Sequence, residues 1–209
     1  MQKQKKKDEA LIVFLKIPQK GRVKTRLATD TDDDTALKVY KKLISLTLDR
    51  AAAYEKADVH LFFTGERAAD EAIPERFFIH SQKGENLGAR MTNAFRKILG
   101  KGYSKVCIIG SDCPELESSH LGDAFSALDA VDVVVGPARD GGYYLLGMKK
   151  DDTAVFGLER WSHADVFEQT MQIIKEKKLS YAQLRQLSDL DDITDYNRLK
   201  HLLDKYEAR

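Results

Sequence analysis

Residues 106–116 read VCIIGSDCPEL, and this stretch decides the fold class of the chain. Its first four residues form a continuous apolar run, which is typical of a strand buried on both faces of a parallel sheet. Gly110 ends the run, and Asp112 follows where the strand gives way to a loop. Ligands of open α/β sheets bind beyond the carboxyl ends of the strands. A carboxylate at that point suits Mg²⁺ or Mn²⁺, and it equally suits a turn that the Asp stabilises through its own backbone.

Apolar runs alternate with amphipathic stretches on both sides of this strand. Further strands are predicted near residues 11–15, 59–64, 77–80, 131–135, 143–148 and 181–187. Helical spacing of apolar residues predicts helices over residues 34–56, 86–99, 118–130, 165–178 and 195–206, with Ser118 as a cap. Strands separated by helices of about ten or more residues predict an α/β fold with a mostly parallel central sheet and helices on both faces.

Length and charge narrow the class of protein. The 209 residues contain no Pro/Gly-rich linker, which favours one domain, residues 11–209, after a basic tail, residues 1–10, that we expect to be disordered. A net charge of +1 gives no general footprint for nucleic-acid binding, and no apolar run reaches the roughly 18 residues of a membrane span. Cys107 and Cys113 flank one strand end, which predicts free thiols in a reducing cytoplasm. The sequence leaves open whether the chain forms a homo-oligomer.

The loop after the first strand is strongly basic. Residues 16–27 read KIPQKGRVKTRL, with five basic residues and one glycine. Backbone N–H groups and cationic side chains in such a loop can surround phosphate oxygens, with Arg26 as a bidentate donor and Lys24 as a point charge. The loop lacks both the Walker pattern and Gly-x-Gly-x-x-Gly. A solvated basic loop explains the same residues without any ligand.

Two more segments combine turn chemistry with carboxylates. Residues 136–147 contain Asp140, Gly141 and Gly142 between two apolar runs, which predicts a hairpin-like turn; the glycines also allow a ligand to approach the backbone while Asp140 faces the cleft. Residues 189–195 hold four carboxylates before the last helix. Acids are favoured at a helix N-terminus, and a metal at Asp112 would need one of them nearby. Spacing alone does not say which.

Five motifs together resemble a known family. They are residues 18–27 (PQKGRVKTRL), 82–91 (QKGENLGARM), 110–114 (GSDCP), 136–145 (GPARDGGYYL) and 161–162 (WS). Between Leu11 and about Leu203 the chain resembles the bacterial GT-A-type glycosyltransferases or nucleotide-diphospho-sugar transferases of unknown substrate. The relatives of that family include the 2-phospholactate and molybdenum-cofactor guanylyltransferases.

The resemblance implies a Rossmann-like GT-A fold and a role for each motif. Its implied catalytic residues are Lys24, Arg26 and Asp112. The nucleotide-binding residues that it implies are Pro18, Gly21, Lys24, Arg26, Gln82, Gly88 and Ser111. On the acceptor side it implies Asp140, Gly141, Gly142, Trp161 and Ser162.

The resemblance also implies a Mg²⁺ or Mn²⁺ cofactor with Asp112 as its first ligand. The family pattern before the last helix is Asp-Val-Asp-Thr, which we match to residues 192–195, DITD. Asp192 is then the second predicted metal ligand, and Thr194 takes the place of the second acid of the pattern. Asp191 or Asp195 could supply the missing acid, and Asp140 is the next candidate for the second ligand. We expect Thr194 to serve at most as a water-mediated contact or as the helix cap.

The expected function is a metal-dependent transferase. Its substrates would be a nucleoside triphosphate or a nucleotide-diphospho-sugar and a small-molecule acceptor, by nucleotidyl or glycosyl transfer. The single acid at Asp112, followed by Cys113 and Pro114, is closer to the nucleotidyltransferase relatives than to transferases with Asp-x-Asp. The acid missing at Thr194 favours an alternative, a nucleotide-binding protein of the same fold that has lost turnover.

Overall fold

The computed structural model describes residues 7–65, 73–161 and 163–206. Seven strands are described: β1 (Glu9–Lys16), β2 (Ala57–Thr64), β3 (Phe78–Ser81), β4 (Lys105–Ile109), β5 (Val133–Pro137), β6 (Tyr143–Met148) and β7 (Tyr181–Gln183). The α-helices are α1 (Thr25–Asp30), α2 (Asp33–Ala53), α3 (Leu87–Leu99), α4 (Ser118–Ala130), α5 (Val166–Glu176) and α6 (Ile193–Leu199). Short 3-10 helices cover Thr153–Phe156 and Lys200–Leu202.

All seven strands form one sheet in the order β3-β2-β1-β4-β6-β5-β7. Only β6 runs antiparallel to its neighbours, β4 and β5. The five residues between β5 and β6 are too few for a crossover helix, so β6 can only return beside β5 as the partner of a hairpin. The predicted α/β fold with a mostly parallel sheet is therefore confirmed.

Helices cover both faces of the sheet. On one face, Leu48 of α2 and Phe125 of α4 pack in a cluster with Leu11 and Val13. On the other face, Phe95 of α3 and Ile174 of α5 pack in a cluster with Ala10 and Ile12. Successive β1 residues thus point into opposite cores, as period-two side chains must. The central strands are buried on both faces, so loops at their carboxyl ends remain as the place for ligands.

Several boundaries differ from the predicted ones. β1 begins at Glu9, because fully buried Ala10 belongs to the core, so the predicted tail is too long at its end; residues 1–6 of that tail lie outside the described residues. Helix α1 begins inside the segment 16–27 that we predicted as a loop and ends beyond it. Ser118 is the first residue of α4, and the N-cap is Glu117, which shares a capping box with His120.

The structure also bears on the two cysteines and on membrane-spanning helices. Cys107 and Cys113 are both free and buried, as predicted. None of the described helices has the length and apolar character needed to cross a membrane.

Candidate functional site

A cleft of about 640 Å³ opens beyond the carboxyl ends of β1, β2, β3 and β4. Residues from all five motifs reach it. Its lining includes Arg26, Gln82, Ser111, Asp112, Asp140, Gly142 and Trp161 from the predicted site. A smaller pocket of about 160 Å³ adjoins it and shares Lys16, Arg26, Tyr40, Asp112 and Asp191 with it. The side chains that sequence reasoning grouped therefore meet at one edge of the sheet.

The centre of the site is a lysine held by two carboxylates. Lys24 Nζ forms an ion pair with Asp112 Oδ1, and it lies 3.0 Å from Asp191 Oδ1. The Lys24 side chain is only 5% exposed, whereas those of Asp112 and Asp191 are 44% and 37% exposed. Burial by itself lowers the pKa of Lys24, but attraction to Asp112 and then Asp191 outweighs burial and holds that pKa well above its usual value. Lys24 therefore stays charged.

The backbone of Lys24 explains how a loop lysine is buried. Lys24 is the N-cap of α1 and has φ 47° and ψ 44°, the left-handed conformation that non-glycine residues seldom adopt. Its carbonyl accepts the first helical hydrogen bond, from Ala28 N at 2.9 Å. This geometry fixes the lysine backbone beside the smaller pocket.

Acidic side chains from three segments surround the lysine. Asp112 follows β4, Asp140 lies in the β5–β6 turn, and Asp189 and Asp191 precede α6; all four line the cleft. Asp189 is half-buried as a whole, yet its Oδ1 is fully buried and has no hydrogen-bond partner among the described residues. Burial, and then the charges of Asp112 and Asp140, raise the pKa of Asp189 to about 8.

The donor atoms of these carboxylates suit a divalent metal, but the carboxylates stand farther apart than one ion requires. Hard oxygen donors and one unsatisfied buried carboxylate oxygen are the ligands that Mg²⁺ and Mn²⁺ take. Within the described ranges, no three His, Cys, Asp or Glu side chains stand close enough to hold one ion as they are placed. A metal here would need Asp112, one carboxylate of the 189–191 segment, and oxygens from water or substrate.

The second predicted metal ligand, Asp192, has a different position. Asp192 is the N-cap of α6, and its Oδ1 accepts a hydrogen bond of 3.0 Å from Asp195 N. It lines neither the cleft nor the smaller pocket. Thr194 is exposed in the first turn of α6 and is not the cap. Asp192 caps α6, whereas Asp189 and Asp191 line the cleft.

The cap position also corrects the match to the family pattern. In Asp-Val-Asp-Thr the last residue has the chemistry of an N-cap, and here the N-cap is Asp192. Counted back from the cap, the pattern falls on residues 189–192, with Asp189 and Asp191 as its two acids. In this match no acid is missing, and the feature that favours a protein without turnover belongs only to the match over residues 192–195.

Backbone contacts hold the two acidic segments together. Leu190 N donates to the carbonyl of Asp112 at 2.8 Å, which places residues 189 and 191 beside the loop after β4. The Tyr40 hydroxyl accepts from Lys16 N at 2.8 Å and from Ser111 Oγ at 3.3 Å. Burial, and then Asp112, raise the pKa of Tyr40 to about 12, so its hydroxyl keeps its proton. These contacts join the ends of β1 and β4.

Two further cations border the site. Lys16, at the end of β1, and Arg26, in α1, are exposed, and both line the cleft and the smaller pocket. Neither side chain forms an ion pair within the described part of the chain. With Lys24 they give the smaller pocket a positive wall that suits phosphate oxygens.

The other end of the cleft is apolar and aromatic. Phe14, Leu87, Met91, Tyr143 and Trp161 line it. The rings of Tyr143 and Trp161 meet edge to face at 6.4 Å. A planar base or an apolar part of an acceptor would pack there.

Gln82 and Gly88 shape the walls of the cleft in different ways. Gln82 Nε2 donates to the carbonyls of Leu15 at 3.2 Å and Phe62 at 2.9 Å, so both amide protons serve the strand ends. Gly88 does not line the cleft; a Cβ on it would lie 2.4 Å from the Phe156 carbonyl oxygen and 2.9 Å from Trp161 Nε1. Gly88 therefore allows Trp161 to pack closely against α3.

The β5–β6 turn agrees with both of its interpretations. Asp140 Oδ1 accepts from Gly142 N at 2.9 Å, so Asp140 stabilises the turn while it lines the cleft. Gly141 has φ 89°, and a Cβ there would lie 1.9 Å from the Ala164 carbonyl oxygen. Phe167 N also donates to the Gly141 carbonyl at 2.8 Å. The turn is thus docked onto the start of α5.

The structure separates the remaining predicted residues. Lys24 lines the smaller pocket only, and the residues that line neither pocket are Pro18, Gly21, Gly88, Gly141 and Asp192. Ser162 lies outside the described residues. Sequence reasoning missed Lys16, Tyr40 and Asp189 as individual site residues, and it considered Asp191 only as a substitute for the acid missing at Thr194. Assigning Asp192 as the N-cap of the last helix would have pointed to Asp189 and Asp191 as the acids that line the cleft.

Comparison with known proteins identifies the family. The family described as "Uncharacterized protein conserved in bacteria (DUF2064)" matches residues 47–163. The chain belongs to this family. A comparison with curated proteins finds no match. Members of DUF2064 are therefore the proteins with which this cleft is to be compared.

Solved structures share the fold of this DUF2064 protein. A protein from Desulfovibrio desulfuricans G20, provisionally named a nucleotide-diphospho-sugar transferase, is 31% identical, with a TM-score of 0.87 over 95% of this chain and 89% of that one. Rv0371c from Mycobacterium tuberculosis H37Rv, in complex with manganese, is 18% identical, with a TM-score of 0.56 over 93% and 98%. A CMP:2-keto-3-deoxy-manno-octonic acid synthetase complexed with CTP is 8% identical, with a TM-score of 0.58 over 93% and 98%. The predicted GT-A-type fold and family are confirmed.

Proposed function

We propose that this DUF2064 protein is a metal-dependent transferase that acts on a nucleoside triphosphate or a nucleotide-diphospho-sugar. The observation that carries the proposal is the meeting of Asp112 and Asp191 around Lys24, beside the positive wall of the smaller pocket. Carboxylates and cations side by side at strand ends are what a metal-bound polyphosphate needs. The manganese and CTP complexes of proteins with the same fold agree with this ligand class.

Each part of the cleft then has a role. Asp112 and a carboxylate of the 189–191 segment would hold Mg²⁺ or Mn²⁺, which supplies positive charge to the phosphate oxygens when bound. Arg26 and Lys16 bind phosphate oxygens and stabilise the negative charge that grows on the leaving group. Gln82 and the aromatic end would border the base, and Asp140 with Trp161 would border the acceptor.

Two reactions use this arrangement. In nucleotidyl transfer, an oxygen of the acceptor attacks the α-phosphorus, the bond to the β-phosphate breaks, and pyrophosphate leaves with the electron pair. In glycosyl transfer, the acceptor oxygen attacks the sugar carbon, the bond from that carbon to the diphosphate oxygen breaks, and nucleoside diphosphate leaves with the electron pair; a hydroxyl acceptor releases its proton to solvent. In both, the leaving group carries two phosphates beside Lys24 and Arg26, so the phosphate half of the cleft serves either reaction.

The test begins with binding and ends with products. The melting temperature is measured with each nucleoside triphosphate and nucleotide sugar, with and without Mn²⁺, because a ligand that binds the folded state raises it. The best donor is then incubated with a pool of small phosphorylated and hydroxylated acceptors. Pyrophosphate identifies nucleotidyl transfer and nucleoside diphosphate identifies glycosyl transfer. The Asp112→Asn variant is the control, and a panel without any Mn²⁺-dependent shift would contradict the proposal.

A further inference from the structure

The ammonium of Lys24 lies where two carboxylates of the proposed metal site meet. It contacts Oδ1 of Asp112 and Oδ1 of Asp191, and its own side chain is almost fully buried. A divalent ion held by the same two oxygens and this ammonium cannot share that position, because they require the same space and repel each other. Ligand-free and metal-loaded protein must therefore differ at Lys24.

We propose that Lys24 is an exchangeable internal cation: it neutralises Asp112 and Asp191 in the free protein and moves to phosphate when metal and polyphosphate bind together. The inference rests on the proposed function and deepens it. It assigns two successive partners to one side chain, carboxylate first and phosphate second. The metal then supplies the positive charge beside the carboxylates, and the polyphosphate supplies the negative charge beside the lysine.

The smaller pocket supplies the second position of the lysine. Lys24 lines this pocket together with Lys16 and Arg26. A buried ammonium is costly without an anion, so Lys24 can leave the carboxylates and stay buried only beside another negative group. Polyphosphate oxygens bound by Lys16 and Arg26 would provide that group within the same pocket.

The exchange needs little motion of the main chain. The Lys24 carbonyl is fixed by Ala28 N at the start of α1, and the preceding turn is closed by a 3.0 Å hydrogen bond from Arg22 N to the Gln19 carbonyl. The flexible part is the lysine side chain. Its four-carbon stem can move the ammonium from the carboxylates to the side of the pocket that Lys16 and Arg26 line. A fixed cap with a movable ammonium is the arrangement that such an exchange requires.

The exchange predicts opposite effects of one substitution. Mn²⁺ alone and the preformed complex of Mn²⁺ with inorganic tripolyphosphate are titrated calorimetrically into wild type and Lys24→Met. Removing the competing ammonium should raise the affinity for Mn²⁺ alone by about tenfold or more, and losing the phosphate contact should lower the affinity for Mn²⁺–tripolyphosphate by a similar factor. Tripolyphosphate has no base, so the identity of the nucleotide does not matter.

Arg26→Met is the matched control. Arg26 lines the same pocket but contacts neither carboxylate, so this variant should lose affinity for Mn²⁺–tripolyphosphate and keep wild-type affinity for Mn²⁺ alone. Unchanged or weaker binding of Mn²⁺ alone by Lys24→Met would overturn the exchange and leave the proposed function standing if wild type binds Mn²⁺–tripolyphosphate. Failure of wild type to bind that complex would overturn both.

A measurement on wild type covers the case in which Lys24→Met does not fold. Modification of Lys24 by an amine-reactive reagent is followed by peptide mass spectrometry. Mn²⁺ should expose Lys24 and raise its modification several-fold, and adding tripolyphosphate should suppress it again. Modification that Mn²⁺ does not change would show that Lys24 stays on the carboxylates, and the exchange would be wrong.

Discussion

The carboxylate of Glu115 accepts a hydrogen bond of 2.6 Å from the backbone N–H of Ser188. This bond joins the loop after β4 to the segment that carries Asp189 and Asp191. Arg198 of α6 donates to Ser188 Oγ at 2.9 Å and secures the same point from the other side. Glu115 lines neither pocket, so its part is to position carboxylates that do.

Glu115→Ala should therefore weaken a site that it does not touch. The loss of a hydrogen bond to a charged group is expected to reduce the free energy of unfolding by roughly 1–3 kcal/mol and to lower the affinity for Mn²⁺–nucleotide. Urea unfolding and calorimetry measure the two effects. Glu115→Gln keeps an acceptor and should lie close to wild type; equal affinities in wild type and Glu115→Ala would show that the bond does not position the acids.

Asp191 and Asp192 are adjacent carboxylates with different predicted roles. Asp192→Ala removes an N-cap and should cost about 0.5–2 kcal/mol of stability while leaving the affinity for Mn²⁺–nucleotide nearly unchanged. Asp191→Ala should lower that affinity strongly, with any change in stability arising from the loss of its contact with Lys24. If the two variants exchange these effects, the family pattern begins at residue 192, as the sequence alone suggested.

Asp189 should make the metal-free protein less stable as the pH rises. Its folded pKa, about 8, lies above the model-peptide value near 3.9, so the folded state holds the proton over that interval and the unfolded state does not. Stability contributed by this group is present at low pH and is lost as the pH rises toward 8. Asp189→Asn should flatten this decline and raise stability at pH 8 while weakening Mn²⁺–nucleotide binding. A variant as pH-dependent as wild type would contradict the assignment.

A histidine network beneath β3 should act in the opposite direction. His60 is fully buried, with Nδ1 3.0 Å from His80 Nε2 and Nε2 3.1 Å from the Tyr103 hydroxyl, which donates to Asp58 at 2.9 Å. Burial, then His80 and two lysines, lower the pKa of His60 to about 3. The folded state thus resists a proton that the unfolded state accepts near pH 6.5.

His60 should therefore destabilise the protein as the pH falls from about 6.5 toward 3, by up to about 1.4 kcal/mol for each pH unit. The measurement is urea unfolding at pH 4.5, 5.5 and 6.5, settings chosen at about one-unit spacing within the window. His60→Gln removes the titrating group, so the difference between the two proteins isolates it from Asp189. Parallel pH profiles would show that His60 is protonated equally in both states.

The pattern of apolar residues along the chain predicted those elements whose bounds depend on neighbouring residues alone. Tyr143–Met148 has the bounds expected from its apolar run, and Asp112 lies just beyond the end of β4, as the apolar run followed by Gly110 predicted. Helix α1 was missed because its six residues bury only Leu27, which leaves no helical period to detect. Its start depends on the left-handed Lys24, and propensity does not predict that conformation.

The choice between neighbouring acids required the tertiary structure. Residues 189–195 hold four carboxylates, and the one that caps α6 determines which of the others face the cleft. Contacts from distant residues, Leu190 to Asp112 and Ser188 to Glu115, fix that choice. The burial of Lys24 is likewise a long-range result, since Asp112 and Asp191 are far from it in sequence.

The docking of Gly141 against Ala164 divides the cleft into two parts of different origin. The side with Lys24 and its carboxylates comes from β1, β4 and the segment before α6, and the other side comes from the β5–β6 turn and the start of α5. Arg139 N donates to the Leu187 carbonyl at 3.0 Å and ties the two sides together. Substitutions in the turn therefore act on the 189–191 segment through Leu187 as well as on the wall of the cleft that the turn forms. Under the proposed function, a new acceptor preference acquired in this turn would come with a change in how the donor is held.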